Sequence, residues 1–421
     1  MARVLAYTSP ARGHLFPVTP ILQELAARGH DVAVRTLASQ VELMRSCGFA
    51  ADAIDARIEQ IEHDDYVART PIAAQKRVLR TFCARARFDA EGLRKAIDEV
   101  RPDVLLVDVA CWGATAAAEA WGGRWAAWCP YPLPVASRDA PPFGPGLRPA
   151  RGLPGRLRDA LLRPIVFGTL ERLVKPRVNE IRAQVGVKPV ESASDLFLRT
   201  PLLLYLTAEP FEYPRSDWPA NVRLVGPCDW DPPAQQPAWL AQVQEPIVLV
   251  TTSSEFQDDG RLARCALEAL ADQPVHVVAT LPSAETEGFA VPANARVVSF
   301  VPHGAILDRA VCAVTHGGMG ATQKALARGV PVCAVPFGRD QFEVARRVQV
   351  ARAGSMLPAK RLSVDRLREA VELAIGRGEG ARRIAEAYRR AGGAAAAADG
   401  VEQLLWDDDP HGAQFERGRS A

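Results

Sequence analysis

The stretch "VTHGGMGATQKALARGVPVCAVPFGRDQ" at residues 314–341 decides the fold. An apolar run, "VCAV" (311–314), leads to His316 and a glycine cluster, and "ATQKALARG" behind them has helical composition. Strand, tight glycine loop and helix is the order these residues dictate. That order aims backbone N–H groups and the positive end of a helix at one point in space, a site for an anion. The loop is not a GxxxxGK[ST] phosphate loop, and only Gly318 and Gly320 fit the first two places of GxGxxG. Beyond the helix, "VPVCAVPF" (330–337) reads as the next strand and "DQFEVARRVQVARAG" (340–354) as the next helix.

The same alternation extends outward on both sides. In the second half, "PIVLVTTSS" (246–254), "VHVVATL" (275–281) and "ARVVSFV" (295–301) read as strands, and "RLARCALEALAD" (261–272) and "HGAILDRA" (303–310) as helices. In the first half, "RVLAYT" (3–8), "DVAVRT" (31–36), "PDVLLVD" (102–108) and "WAAWCPY" (125–131) read as strands. "VTPILQELAARG" (18–29) and "WGATAAAEAWG" (112–122) read as helices, and the Pro/Gly/Arg-rich stretch 139–156 as loop. Strands alternating with helices predict doubly wound parallel sheets. The Pro-rich "GPCDWDPPAQQPAW" (226–239) reads as a linker. The expected division is an N-terminal domain over 1–225, a linker over 226–245 and a C-terminal domain over 246–380. A helix over 381–406, broken at Gly392 and Gly393, is expected to pack back toward the first domain, with a polar tail over 407–421.

Composition narrows the class. At roughly 150 residues per domain, 421 residues suggest two or three domains. Apolar content of 48% with 24% charge is that of a globular protein with ample core. A net charge of +2 gives no electrostatic case for nucleic acid. The eight cysteines show neither CxxC pairs nor His/Cys ligand spacing, so buried thiols are expected rather than disulfides or a metal site. No signal-peptide pattern precedes the first strand, and no apolar segment reaches the roughly 18–20 residues of a membrane span, so a cytoplasmic location is expected.

Ligands of open α/β sheets bind at the carboxyl ends of the strands. His14 lies there, after the first strand and ahead of a helix placed from about Pro17. Asp108 closes "PDVLLVD", His303 follows "SFVP", and His316 follows "VCAVT". His30, His63, His276 and His411 read instead as structural or merely exposed.

The elements "FVPH" (300–303), "HGGMGATQKAL" (316–326), "GVP" (329–331) and "PFGRDQ" (336–341), with "GHLFP" at 13–17, resemble the family 1 (UDP-glycosyltransferase-type) enzymes. The likeness is greatest to the bacterial natural-product and macrolide glycosyltransferases, and it runs to about residue 405. It implies the GT-B fold, two Rossmann-like doubly wound parallel-sheet domains facing across a cleft. It also implies inverting transfer of a sugar from a nucleotide diphosphate sugar, dTDP- or UDP-linked, to a hydroxyl of a small lipophilic acceptor, without metal or other cofactor. A homodimer is a further expectation.

Residue by residue, the resemblance makes His14 the general base and Asp108 the carboxylate that orients it. It makes His316 a diphosphate contact, with Gly318, Met319, Gly320 and Thr322 lining the same pocket. Phe300 stands where the family carries a base-stacking tryptophan, and His303 replaces a glutamine. Ser253 and Ser254 fall where a Gly-Ser or Gly-Thr pair meets the phosphates, and Asp340 and Gln341 match the pair that holds sugar hydroxyls. Lys324 departs from the pattern, occupying the place of a glutamate that accepts from the ribose. An ammonium has no acceptor, so Lys324 is expected either to help hold the diphosphate or to point to solvent. The missing carboxylate favours a deoxyribose, hence a dTDP-sugar. Tyr66, Phe82, Phe88 and "WCPYPLPV" (128–135) are candidates for an apolar acceptor wall. A nucleotide-sugar epimerase shares the architecture but needs no base beside an acceptor pocket. A non-catalytic binder of nucleotide sugar or natural product stays a third reading.

Overall fold

The computed structural model describes residues 1–150, 152–255, 257, 259–283 and 288–406. The expected tail, with His411, lies outside the described residues.

Seven parallel strands form the first sheet: β1 (Arg3–Tyr7), β2 (Asp31–Thr36), β3 (Ala50–Ala53), β4 (Val104–Asp108), β5 (Arg124–Cys129), β6 (Leu202–Tyr205) and β7 (Val222–Leu224). Their spatial order is β3-β2-β1-β4-β5-β6-β7. Six more form the second: β8 (Ile247–Thr251), β9 (His276–Thr280), β10 (Ala295–Val298), β11 (Ala310–Thr315), β12 (Val332–Ala334) and β13 (Gly354–Met356), in the order β10-β9-β8-β11-β12-β13. β4 and β8 are buried along their whole length, as central strands covered on both faces must be, which is why they read as unbroken apolar runs. The strand order reverses between β1 and β4 in one sheet and between β8 and β11 in the other. Such switch points open a crevice at the carboxyl ends of the strands. Here those ends are Tyr7, Asp108, Thr251 and Thr315.

Two long helices have no counterpart in the sequence reading, Pro71–Val100 and Gly152–Val185. The second corrects the loop expected over 139–156, whose last residues already belong to it. Pro164 and Pro176 inside it disguise it, because each removes one backbone donor without stopping the helix. Pro71–Val100 packs on the helix Trp112–Trp121 so closely that a Cβ at Gly113 would lie 1.6 Å from the carbonyl oxygen of Ala86. Only glycine lets these backbones touch.

The last helices divide between the domains. Gly378–Ala391 packs on Met319–Ala327 in the second domain, and Gly393–Trp406 packs on Arg12–Ala27 in the first. The chain crosses at Gly392 and Gly393, with φ of 90° and 56°. Arg28 fastens the crossing helix through Asp399 (2.7 Å) and Glu402 (2.6 Å). His30 is structural, with Nδ1 accepting from the Ala2 amide and Nε2 3.0 Å from Glu402. The linker is also fixed. Trp230 packs edge-on to Phe16, and Asp231 accepts the amide protons of His303 and Gly304. Among the described residues, no helix is long and apolar enough to cross a membrane.

Candidate active site

The helix after β1 begins at Arg12, not near Pro17, so His14 sits in its first turn rather than in a loop. Pro17 and Pro20 each forgo one helical hydrogen bond, but the turns around them continue. Asp108, at the end of β4, is fully buried. Its carboxylate accepts from the Ser9 amide (3.1 Å), the Ser9 hydroxyl (2.6 Å) and the Ala110 amide (2.9 Å). Its two oxygens lie 3.0 and 2.9 Å from Nδ1 of His14. Burial alone would raise the Asp108 pKa, but the His14 charge and these donors outweigh it and hold the carboxyl below its usual range. For His14, burial opposes the imidazolium, yet the Asp108 charge and hydrogen bond prevail and lift its pKa above 6.5. With Nδ1 committed to Asp108, Nε2 is the atom left to take a proton. The Tyr131 ring lies 5.6 Å from the imidazole, and the Trp128 indole donates to the His14 carbonyl.

At the second switch point His316 is nearly buried, and burial pushes its pKa down, so the ring is neutral near pH 7. It lies over the start of the helix Met319–Ala327. A Cβ at Gly318 would come 2.3 Å from Nε2 of His316, so glycine is what admits the ring. Gly318→Ala should therefore displace the ring and weaken binding of a nucleoside diphosphate by about 5- to 150-fold, the equivalent of the roughly 1–3 kcal/mol that overpacking of this kind costs. Calorimetric titration measures it, and an unchanged affinity would separate His316 from the anion.

Met319 and Gly320 line the cleft with Gly318 and His316. Thr322 does not, which corrects its expected role. The helix turns it inward, it is fully buried, and its hydroxyl lies 3.3 Å from that of Thr315. Ser253 lines the cleft with its amide already engaged. Its amide donates to Asp259 (2.7 Å) and its hydroxyl accepts from the Glu255 amide (3.1 Å), leaving Ser254 exposed beside them. Gln341 accepts from the Phe337 and Gly338 amides (2.8 and 3.1 Å) and donates to Gln257 (2.7 Å). It shapes the turn, and Asp340 is the carboxylate presented to the cleft. Phe300 is 52% exposed at the cleft, as a face awaiting a flat ring would be. His303 is neutral, its pKa pushed to about 4 by burial and by Lys324, with Nε2 3.1 Å from the Thr280 hydroxyl.

Lys324 lines the cleft but does not point to solvent. Its ammonium donates to the Trp230 carbonyl (2.6 Å) and to Asp231 (2.7 Å), with Asp229 at 3.2 Å. The linker carboxylates hold it in place.

His63, expected to be exposed or structural, lines the cleft, its ring edge-on to Phe82 at 5.5 Å. Burial pushes its pKa to about 4. Phe82 in turn packs on Trp112, with centroids 5.1 Å apart. Tyr66, Phe82, Pro130 and Tyr131 face this end of the cleft, whereas Phe88 lies under the Arg57 guanidinium and belongs to the core. Asp65, Glu255 and Arg339 also meet here; Arg339 lies within "PFGRDQ", but the sequence reading assigns none of the three a role. The cleft between the two sheets measures about 1800 Å³, beyond the roughly 300–1,000 Å³ of a single-ligand pocket. It has room for two substrates.

Residues 264–403 match the family "Erythromycin biosynthesis protein CIII-like, C-terminal domain". The chain is 34% identical over 388 residues to 4'-demethylrebeccamycin synthase of Lentzea aerocolonigenes, covering 88% of this chain and 91% of that protein. It is 26% identical to the 3-alpha-mycarosylerythronolide B desosaminyl transferase of Saccharopolyspora erythraea, covering 88% and 90%. Among solved structures, the glycotransferase of kitacinnamycin superposes with a TM-score of 0.72 at 25% identity, covering 96% of this chain and 99% of that one.

Proposed function

Because the chain belongs to the GT-B glycosyltransferases of antibiotic and other natural-product biosynthesis, we propose that it transfers a sugar with inversion from a nucleotide diphosphate sugar to a hydroxyl of a small lipophilic acceptor. The observation that carries this reading is the pairing of the two switch points. A histidine base on a buried carboxylate ends one, and an anion-ready helix start under a neutral histidine ends the other.

In the reaction, the acceptor hydroxyl gives its proton to Nε2 of His14 as its oxygen bonds to the anomeric carbon. The bond from that carbon to the diphosphate oxygen breaks, and the nucleoside diphosphate leaves toward His316 and the helix start. Asp108 stabilises the imidazolium that forms. A single displacement inverts the centre, so an α-linked donor gives a β-product. The helix dipole and the amides of residues 318–320 meet the leaving-group charge, which makes a metal unnecessary in this scheme. At the nucleotide end, residue 324 is no carboxylate, and Asp229 and Asp231 are engaged by Lys324, Arg328 and the amides of residues 303 and 304. With an ammonium in the glutamate's place and these two carboxylates drawn to cations and amides, a ribose diol loses its usual acceptor, which favours a dTDP-sugar.

The test is transfer from labelled dTDP-glucose and UDP-glucose to a panel of lipophilic aglycones, with and without EDTA. A β-linked product, retained activity under chelation and a higher kcat/KM for the dTDP donor are expected. Loss of turnover under EDTA with rescue by Mg²⁺ would overturn the metal-free scheme. A tenfold native preference for UDP, about 1.4 kcal/mol, would overturn the donor assignment alone. An isomerised sugar nucleotide without acceptor would point to an epimerase.

A further inference from the structure

Among the described residues, two ion-pair clusters join the domains, and they differ in kind. Around Glu212 and Arg347 the side chains are 0% and 2% exposed, as befits a permanent joint. The other cluster borders the cleft. There the Arg339 guanidinium forks onto Asp65, with Nε and Nη2 each 2.9 Å from a carboxylate oxygen, and its Nη1 reaches Glu255 at 2.7 Å. Arg339 is 21% exposed at the cleft and Asp65 6%, so this contact is less deeply enclosed than the first. Asp65 belongs to the segment that supplies His63, Tyr66 and Ile72 to the acceptor end of the cleft. Arg339 belongs to the turn that presents Asp340, between Gly338, whose amide Gln341 holds, and Gln341 itself. Its φ of 51° places a non-glycine residue in the left-handed region. That conformation is strained for a residue with a Cβ and persists only where surrounding contacts fix it.

We propose that Arg339 is a positioning residue that bolts the acceptor-side segment 63–72 to the donor-side turn 337–341, closing the chamber against water during sugar transfer. The inference rests on the glycosyl-transfer reading. With the bolt open, water competes for the anomeric carbon. Its oxygen bonds to that carbon, its proton passes to Nε2 of His14, and the bond to the diphosphate breaks, giving free sugar and nucleoside diphosphate. Closing lids suppress such side reactions.

The test uses the full chain with Arg339→Gln, Asp65→Asn and the two together, read by two independent measurements. The first is the ratio of donor hydrolysis to transfer. Each single change should raise that ratio about tenfold and lower transfer kcat by about 10- to 100-fold, as loss of positioning does, with the donor KM held within about threefold. The double variant should be no worse than Arg339→Gln alone, because that change already removes the fork onto Asp65. The second is backbone hydrogen exchange. Either change should speed exchange in residues 60–72 and 337–341 together. A merely structural role would lower stability with the hydrolysis ratio unchanged. An unchanged ratio in both single variants, or exchange that rises only in the mutated segment, overturns the bolt. A native chain that neither transfers nor hydrolyses any nucleotide sugar overturns the transfer reading, and the exchange measurement then still decides whether the segments are joined.

Discussion

His14→Ala is expected to lower turnover by about 10²- to 10⁴-fold, the usual loss for a general base, while the affinity for nucleoside diphosphate stays nearly unchanged. The separation follows from the fold, because His14 ends one switch point and the anion site ends the other. Asp108→Asn should also cut turnover, by removing the charge that stabilises the imidazolium and fixes its tautomer. The two variants differ in pH dependence. A base must be unprotonated, and Asp108 holds the His14 pKa above 6.5, so native kcat/KM should fall as pH drops through that raised value. In Asp108→Asn burial is left as the main influence, and the acid limb should move to lower pH. Linkage fixes the sign for stability. The raised His14 pKa stabilises the fold fully below 6.5, and this is lost as pH rises through the folded value. The lowered Asp108 pKa stabilises it above 3.8, and this is lost as pH falls through the folded value. The pair therefore contributes most between 3.8 and 6.5. Full activity in His14→Ala, or an acid limb unmoved in Asp108→Asn, would remove the pair from the chemistry.

What the sequence made legible was what local chemistry dictates. Buried parallel strands read as apolar runs, and β4, β8 and β11 stand where those runs predict. The residues at their carboxyl ends, Asp108 and His316, could be named from position alone. Direction of a side chain within a helix was harder. Thr322 lies one turn beyond Gly318, and a small slip in phase exchanges cleft for core. Ser253 and Gln341 line the cleft, but the Ser253 amide is held by Asp259 and the Gln341 side chain by the Phe337 and Gly338 amides and by Gln257, contacts that strand-end position alone does not show. Lys324 could not be placed because Asp229 and Asp231 lie in the linker, almost a hundred residues earlier. The helix Gly152–Val185 was hidden by its prolines, and with it went much of the acceptor end of the cleft. His63, Asp65 and Arg339 gain meaning only when the two domains are brought together.

That meeting of domains is also where stability should be most sensitive. Glu212→Gln is expected to cost about 3–5 kcal/mol, the range for breaking a buried ion pair by removing one partner. Glu212 accepts from Arg347 through both carboxylate oxygens (3.1 and 2.9 Å), from the Tyr213 amide (2.9 Å), from Arg215 (3.3 Å) and from the Tyr205 hydroxyl. Arg347 also pairs with Glu343 (2.9 Å), whose carboxylate accepts from the Gly144 and Gly146 amides of the first domain. Burial would raise the Glu212 pKa, but Arg347 and Arg215 outweigh it and hold the carboxyl below 4.5. Its stabilisation is thus present above 4.5 and lost as pH falls through the lowered folded value. A neutral amide keeps the shape but leaves Arg347 and Arg215 sharing too little negative charge in a dry interface. Denaturant unfolding, followed separately by fluorescence and circular dichroism, measures the loss, and a change below about 1 kcal/mol would refute it. Non-coincident transitions would show the domains unfolding apart. An apolar pair, Glu212→Leu with Arg347→Met, makes the complementary comparison, because such replacements often restore stability by ending the desolvation cost. If that double variant is stable but transfers sugar poorly, the charges serve to fix how the two switch points face each other, and the fold itself does not need them.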